Sequence, residues 1–328
     1  MTVFSTEIVP KDPLWKTDLL AKIIEESGLS GIWLSEHPHN RSSFITASYL
    51  LKRVQKIWIG VGVINPYVIN PFIIAQIAAS LTEIAPNRVN IAIGAGDKTT
   101  LESIGIERSK PLDRVRQTVT IIRQILREKR AVIDNMCGRL DFNPRSYTPI
   151  YVAAQGPRML QLAGEIGDGV LVNYSDPEDL RWAHLQVKKG VDKSSRIMDK
   201  FDLAAYLTLS IDNDIEKASK TAAPYAAYIL CGLPEDLIRD LDINEKVLGE
   251  IREAIKKTDW LKLYSILSID VIKRFVIVCQ PSSLREILEE IVGIGYKQIV
   301  LGAPLGPRVL YSLREACKTI GELVKLRA

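Results

Sequence analysis

The side chains best suited to chemistry lie in short polar or glycine-rich stretches, each close behind an apolar run. Glu7 stands in VFSTEIV, where every other residue is apolar or small. A carboxylate partly withdrawn from water is costly to ionise, which suits a proton donor. A lysine or arginine partner would make the same residue structural. After Gly31–Ser35 comes Glu36-His37-Pro38-His39-Asn40-Arg41, with two of the 3 histidines. His-x-His can bind metal, but no carboxylate or cysteine cluster completes a site. Hydrogen bonding to a ligand or to its own loop is the reading for His37, and no metal is expected. In Gly62-Val63-Ile64-Asn65 a glycine sits where a β-bulge would fit. Gly94-Ala95-Gly96-Asp97 presents a carboxylate on a turn whose glycines let a ligand approach the backbone. Capping of the next helix would use Asp97 equally well.

One stretch joins a binding device to an architecture. Pro149 to Asn173 reads as strand, turn, helix and strand. Ile150–Ala154 is too short for a buried helix. Gln155-Gly156 then turns the chain, and Pro157 fits the first helical position, where its missing N–H costs nothing. A glycine at a helix start leaves backbone N–H groups bare for an anion. A plain tight turn explains Gly156 as well, and these residues alone leave both readings open.

Such residues act together only if the elements carrying them converge. Strand-like runs cover Val3–Val9, Gly31–Ser35, Ile57–Val63, Val89–Gly94, Ile150–Ala154, Gly169–Asn173, Leu203–Ile211 and Lys297–Leu301, with amphipathic helical runs between most of them. Asp12-Pro13, Asn70-Pro71, Gly156-Pro157, Asp176-Pro177 and Gly306-Pro307 read as helix starts. This alternation predicts the α/β class, as a (β/α)8 TIM barrel. An open doubly wound sheet fits less well, because no glycine fingerprint follows the first strand. Residues 213–280 break the rhythm. Glu216–Ala227, Pro234–Asp240, Glu245–Lys257 and Leu261–Val278 read as helices with no convincing strand, hence a mostly helical insertion after the seventh strand of a single domain spanning 1–328. Ser283-x-x-Glu286 reads as a capping box. Residues just past the strands of a barrel share one mouth, so Glu7, Glu36, His37, Asn40, Asn65, Gly96, Asp97, Gln155 and Asn173 are expected to meet there.

Bulk composition narrows the partners. The 328 residues are 47% hydrophobic and 25% charged, ordinary for a globular enzyme. Basic and acidic residues number 43 and 39, interleaved, for a net charge of +4. No basic stripe alternates with aromatics, so no nucleic-acid partner is expected. The 4 cysteines are scattered without a CxxC pair, as in a reduced intracellular protein. MTVFSTEIVP has no basic leader, and no apolar segment is long enough to span a bilayer. A cytoplasmic protein without a membrane partner is expected. Apolar faces on the second and third helices would suit a homodimer or higher homo-oligomer, and core burial explains them equally well.

Six segments carry a resemblance: FSTEIVP, SEHPHNR, GVGVINPY, IGAGDKTTLESIGIERSKPL, YVAAQGPRMLQLAGEIGDGVLVN and IVLGAPLGP. In that order, over essentially the whole length, the chain resembles the 5,10-methylenetetrahydromethanopterin reductases, coenzyme F420-dependent members of the bacterial-luciferase-like family. The resemblance implies a (β/α)8 barrel with a late insertion and a deazaflavin, coenzyme F420, in its mouth. It implies a phosphate tail against Ala154-Gln155-Gly156-Pro157, with Asn173 at the same rim. Glu7 matches the family's acid in the first strand, and Asp97 its active-site aspartate. Glu36 takes the place of an aspartate, His37 matches the following histidine, and Asn65 joins this cofactor set. Gly62-Val63 matches a non-prolyl cis peptide behind the deazaflavin ring. Asn40 and Gly96 fall on the substrate side. Pro38 often corresponds to tyrosine in the family, Val68-Ile69-Asn70-Pro71 to Thr-Arg-His-Pro, and Pro86-Asn87 replaces glycines. These departures bear on the substrate more than on the cofactor.

The implied substrate is a reduced pterin whose methylene bridges two nitrogens. Protonating one nitrogen opens the ring to an electrophilic iminium, and a hydride then makes a methyl group. Glu7 is the expected donor, directly or through water, and Asp97 would hold the pterin or stabilise the cation. Other outcomes of the same pattern are an F420-dependent enzyme acting on an alcohol or sugar, an FMN-dependent monooxygenase, and a non-catalytic deazaflavin-binding protein.

Overall fold

The computed structural model describes residues 2–96, 98–133, 136–233, 238 and 243–325. Its strands are β1 (Val3–Ile8), β2 (Gly31–Leu34), β3 (Trp58–Ile64), β4 (Val89–Ile93), β5 (Arg130–Ile133), β6 (Met136–Arg139), β7 (Ile150–Ala154), β8 (Gly169–Val172), β9 (Asp202–Ile211), β10 (Ile277–Cys279) and β11 (Gln298–Leu305). In the order β1-β2-β3-β4-β7-β8-β9-β11 they close into an eight-stranded parallel barrel with helices between strands. These are the strands expected from sequence, with shifted ends; β11 runs on to Leu305 rather than Leu301.

Both faces of such strands are covered, so they read as nearly continuous apolar runs. Ile32, Leu34, Ile59, Val61, Ile91, Val152, Val170 and Val172 are buried, as are Leu50, Ala78, Val119, Ile122, Leu160 and Ala163 on the helices. Those helices are α1 (Leu14–Glu26), α2 (Ser43–Arg53), α3 (Pro71–Ile84), α4 (Lys98–Ser103), α5 (Pro111–Glu128), α6 (Pro157–Ile166) and α7 (Pro177–Lys193).

Two compact units share this chain. The first runs through Asn173 and takes in Arg181–Ala205 and Tyr296–Val300. The second comprises Tyr174–Leu180, Tyr206–Gly295 and the segment from Leu301 onward. Within the second, α8 (Ile215–Gly232) and helices at Glu245–Lys256, Trp260–Ile266 and Ile269–Phe275 surround an apolar cluster that includes Ala226, Leu230, Ile251, Leu263 and Ile272.

Local details depart from the sequence reading. The helix expected over Leu261–Val278 is two short helices, because Ser268 starts the second by accepting from Val271 N at 3.2 Å. Its last residues form β10, which pairs with Leu209–Ile211 of β9, so this region holds a strand after all. The helix expected over Pro234–Asp240 lies, but for Ile238, outside the described residues. The capping box at Ser283 is not formed. A 3-10 turn over Pro281–Ser283 precedes the helix, leaving Ser283 with helical backbone angles and no side-chain cap bond. Helices α3, α6 and α7 begin on their prolines. In α1, however, Pro13 is itself the cap, and the last helix begins at Val309, two residues past Pro307. The antiparallel hairpin β5–β6 has no counterpart in the sequence reading. It lies against α3: a Cβ at Gly138 would come within 2.9 Å of three atoms of the Phe72 ring.

Candidate active site

Every described residue of the expected site belongs to the first unit. Its floor is aromatic. Trp33 on β2 meets Tyr151 on β7 edge to face, ring centroids 5.2 Å apart. Strands β3 and β4 separate those two in the sheet, so the contact runs through the barrel lumen. Trp58 packs on Trp33 at 5.4 Å. Glycines on neighbouring strands make room for these rings. A Cβ at Gly31 would come within 2.5 Å of three Trp58 ring atoms, and one at Gly60 within 2.8 Å of three in Trp33. The Tyr151 hydroxyl donates to the Asp202 carboxylate. Burial pushes the Asp202 carboxyl up and, with Asp202's negative charge, pushes the Tyr151 phenol up. Sequence reading missed this floor. Its signal was Gly31-Ile32-Trp33 beside Trp58-Ile59-Gly60, large and absent side chains in complementary register.

Glu7 stands on the same rung as Trp33 of this floor. It pairs in register with Trp33, and Trp33 with Gly60. Register partners in parallel strands share a face, so Glu7 points into the lumen with Trp33. The penultimate residue of β1, it is half-buried rather than sealed in the core. Asp97 lies outside the described residues.

The β3 exit has the irregularity expected of Gly62-Val63. Their peptide bond is cis, and the pairing with β4 shifts between Val61 and Ile64. A Cβ on Gly62 would lie 2.5 Å from the Ala92 Cβ, and one on Gly94 would lie 2.5 Å from Val63 Cγ1. Only glycine lets β3 and β4 approach this closely at the mouth. Asn65 ties the two exits together: its amide donates to Ala95 O at 3.4 Å, and its Oδ1 accepts from Tyr67 N at 2.9 Å. Gly96 has φ +67°, and a side chain there would overlap the Asn65 amide.

The β2 exit is self-braced. The Glu36 carboxylate accepts from Ser43 N at 3.0 Å and from the Ser43 hydroxyl. It thereby satisfies the N–H of Ser43, the first residue of α2. His37 Nδ1 accepts from His39 N at 3.4 Å, and His37 O from Asn40 N at 3.0 Å. Glu36 and His37 thus shape the loop that carries Asn40.

At the β7 exit, Gln155 Nε2 donates to Asn173 O at 2.9 Å, joining the ends of β7 and β8. Gly156 caps α6 without any side-chain cap bond, and Pro157 takes the first helical position. A Cβ at Gly156 would meet nothing within 4 Å. This turn is open above a helix start, unlike the starts of α2 and α3, where Ser42 and Asn70 cap the backbone. Ala154, Gln155, Gly156 and Pro157 therefore form one side of the mouth, and Glu7, Glu36, His37 and Asn40 another. Among the described residues, no three histidine, cysteine or carboxylate side chains gather as a metal site. No helix of the described residues is long and apolar enough to cross a membrane.

Comparison with known proteins adds to this geometry. The luciferase-like monooxygenase family matches residues 5–298. The chain belongs to that family. Among curated family members it is 36% identical to 5,10-methylenetetrahydromethanopterin reductase of Archaeoglobus fulgidus, covering 93% of this chain and 94% of that one. It is 34% identical to the reductase of the same name from Methanolobus tindarius, covering 97% and 98%. The solved structure of coenzyme F420-dependent tetrahydromethanopterin reductase from Methanopyrus kandleri superposes with a TM-score of 0.85 at 30% identity, over 97% of this chain and 98% of that one.

Proposed function

We propose that this luciferase-like chain is a coenzyme F420-dependent reductase acting on 5,10-methylenetetrahydromethanopterin or a related pterin, giving the 5-methyl form. The observation that carries the reading is one inward carboxylate, Glu7, beside an aromatic floor at a barrel mouth whose opposite side is an uncapped helix start. The names of the relatives over nearly the full length support it.

The residues present fit a flat cofactor with an anionic tail. Open space over Gly156 at the exposed, uncapped start of α6 suits a phosphate. Gly62 and Val63, held against Ala92 and Gly94, offer a flat backbone surface for a ring, beside Asn65. Glu36 and His37 brace the facing loop, and Asn173 closes the rim beside Gln155. Bound there, the cofactor supplies the hydride. The protein supplies position and a proton. Glu7 donates that proton to a pterin nitrogen and so makes the methylene carbon electrophilic. Asp97 holds the pterin or stabilises the cation, and Asn40 and Gly96 line the substrate side. Residues 213–280 act as an insertion within one barrel domain, in a cytoplasmic enzyme. Exposed Trp15, Leu19, Ile45 and Ile73 on α1, α2 and α3 suit a homodimer or higher homo-oligomer, which light scattering of the purified protein tests.

Mixing the protein with reduced coenzyme F420 and the methylene-pterin should raise the absorbance of the oxidised deazaflavin. Glu7→Gln should lower kcat by about 10²-fold or more while both ligands still bind. Near-full turnover by Glu7→Gln would sink the proposed role, and no turnover by the unmodified protein would sink the function.

A further inference from the structure

A second feature of the mouth is cationic, and of its residues only Asn40 enters the reading above. Lys11, His39, Asn40 and Arg41 line an open cleft between the loops that follow β1 and β2. The cleft is built rather than incidental. Arg41 N donates to Pro10 O at 3.1 Å, and the Arg41 guanidinium donates to Lys11 O, so one residue clamps both loops. Nearby carboxylates are engaged elsewhere: Asp12 with Lys16 at 2.9 Å, Glu36 with Ser43. Among the described residues, neither Lys11 nor Arg41 forms an ion pair, and both are exposed at the cleft.

We propose that this cleft binds an anionic substituent, carboxylate or phosphate, on the substrate, remote from the carbon that takes the hydride. An ammonium, a guanidinium, an imidazole and an amide supply donors and positive charge on one small surface, which is what such a group requires. The proposal rests on the functional reading above, and strand order keeps this anion apart from a phosphate at Gly156. Counted from β1 around the ring, β7 is the fifth of eight strands and faces β1 across the lumen. Eight strands at the usual spacing make a ring roughly 15 Å across. A phosphate at Gly156 and an anion at Lys11 are therefore separate groups. Lys11 follows Glu7 by four residues, at most about 14 Å of extended chain, so a ligand with its reacting nitrogen near Glu7 can reach the cleft with a short substituent. Charge there also steers an anionic ligand toward the mouth.

Two measurements on the full-length protein test this. The first follows the His39 ring by NMR, tractable because the chain has only 3 histidines, while inorganic phosphate is added. Saturable shifts are expected, with affinity lowered about tenfold in Lys11→Glu and weakened by salt. Absence of shifts overturns the site. The second compares a methylene-pterin bearing its anionic substituent with an analogue truncated to the neutral ring system. Lys11→Glu should raise KM for the anionic substrate severalfold with kcat unchanged, and leave KM for the neutral analogue alone. Equal KM changes for both, or weakened binding of coenzyme F420 instead, overturns the assignment. Failure of the functional reading looks different. Wild-type protein that binds phosphate beside His39 yet transfers no hydride overturns the assignment to the pterin while leaving the phosphate titration intact.

Discussion

Replacing Gly60 with alanine sets a methyl group against a ring that has nowhere to go. The new Cβ would come within 2.8 Å of three Trp33 ring atoms, whereas carbon atoms pack at about 3.5–4.0 Å. Relief needs a displacement of roughly 1 Å. Trp33 is 1% exposed and meets Trp58 at 5.4 Å and Tyr151 at 5.2 Å, so the strain spreads through the floor. Overpacking of this kind costs about 3 kcal/mol, the upper part of its usual range. Loss of glycine's unfolded-state entropy returns at most about 1 kcal/mol. A net destabilisation of about 2 kcal/mol is expected, measured as a lower urea midpoint at unchanged slope. Because Glu7 shares a rung with Trp33, turnover should fall as well. Trp33→Phe in the same chain should recover part of the loss, giving a double-mutant coupling above about 1 kcal/mol. Wild-type stability in Gly60→Ala, or strict additivity with Trp33→Phe, would refute the packing argument.

Other consequences are independently measurable. Gly96→Ala, at φ +67° and against the Asn65 amide, should cost about 1–2 kcal/mol and raise KM for the pterin; unchanged unfolding and KM would count against the link between the β3 and β4 exits. Hydrogen bonds from Arg53, followed by the interaction with Lys22, hold the Asp18 carboxyl below the usual range despite its burial. Its stabilising effect is complete above the unfolded-state value of about 3.9 and is lost as pH falls through the lower folded value. Asp18→Asn should thus be less stable than wild type at neutral pH, with the gap closing below about pH 4; a gap independent of pH contradicts this. Burial pushes the Cys279 thiol up to about 12, while Cys137 is exposed. A thiol reagent should label Cys137 rapidly in the native protein and Cys279 only on unfolding, as mass spectrometry of the labelled peptides will show.

Much of the architecture was legible because it rests on local rules. Short apolar runs alternating with amphipathic stretches revealed the eight strands of the barrel, and Asn70-Pro71 and Gly156-Pro157 announced their helices. Local rules fail where packing chooses among similar options. Ser283-x-x-Glu286 has a capping-box pattern, yet the preceding 3-10 turn denies it the geometry. Leu261–Val278 has helical periodicity throughout, yet Ser268 restarts the helix and Ile277–Cys279 takes an open edge of β9. The β5–β6 hairpin is short and half-exposed, and its fit to Phe72 through Gly138 has no periodic signature.

The candidate site divides the same way. Residue type and position after a strand were enough to nominate Glu7, Asn65 and the Gln155-Gly156-Pro157 turn, because chain direction in a parallel barrel sends every strand end to one face. Which neighbour each side chain answers to is a property of the closed ring. Closure brings Trp33 onto Tyr151 across two intervening strands and turns Glu7 toward the lumen with them. The pairing of β1 with β2 sets Lys11 beside Arg41, whose guanidinium donates to Lys11 O. Sequence determines which groups are available and at which strand end each one emerges. Only the tertiary fold decides their partners, because contacts across a lumen join residues whose separation along the chain carries no information about their distance in space.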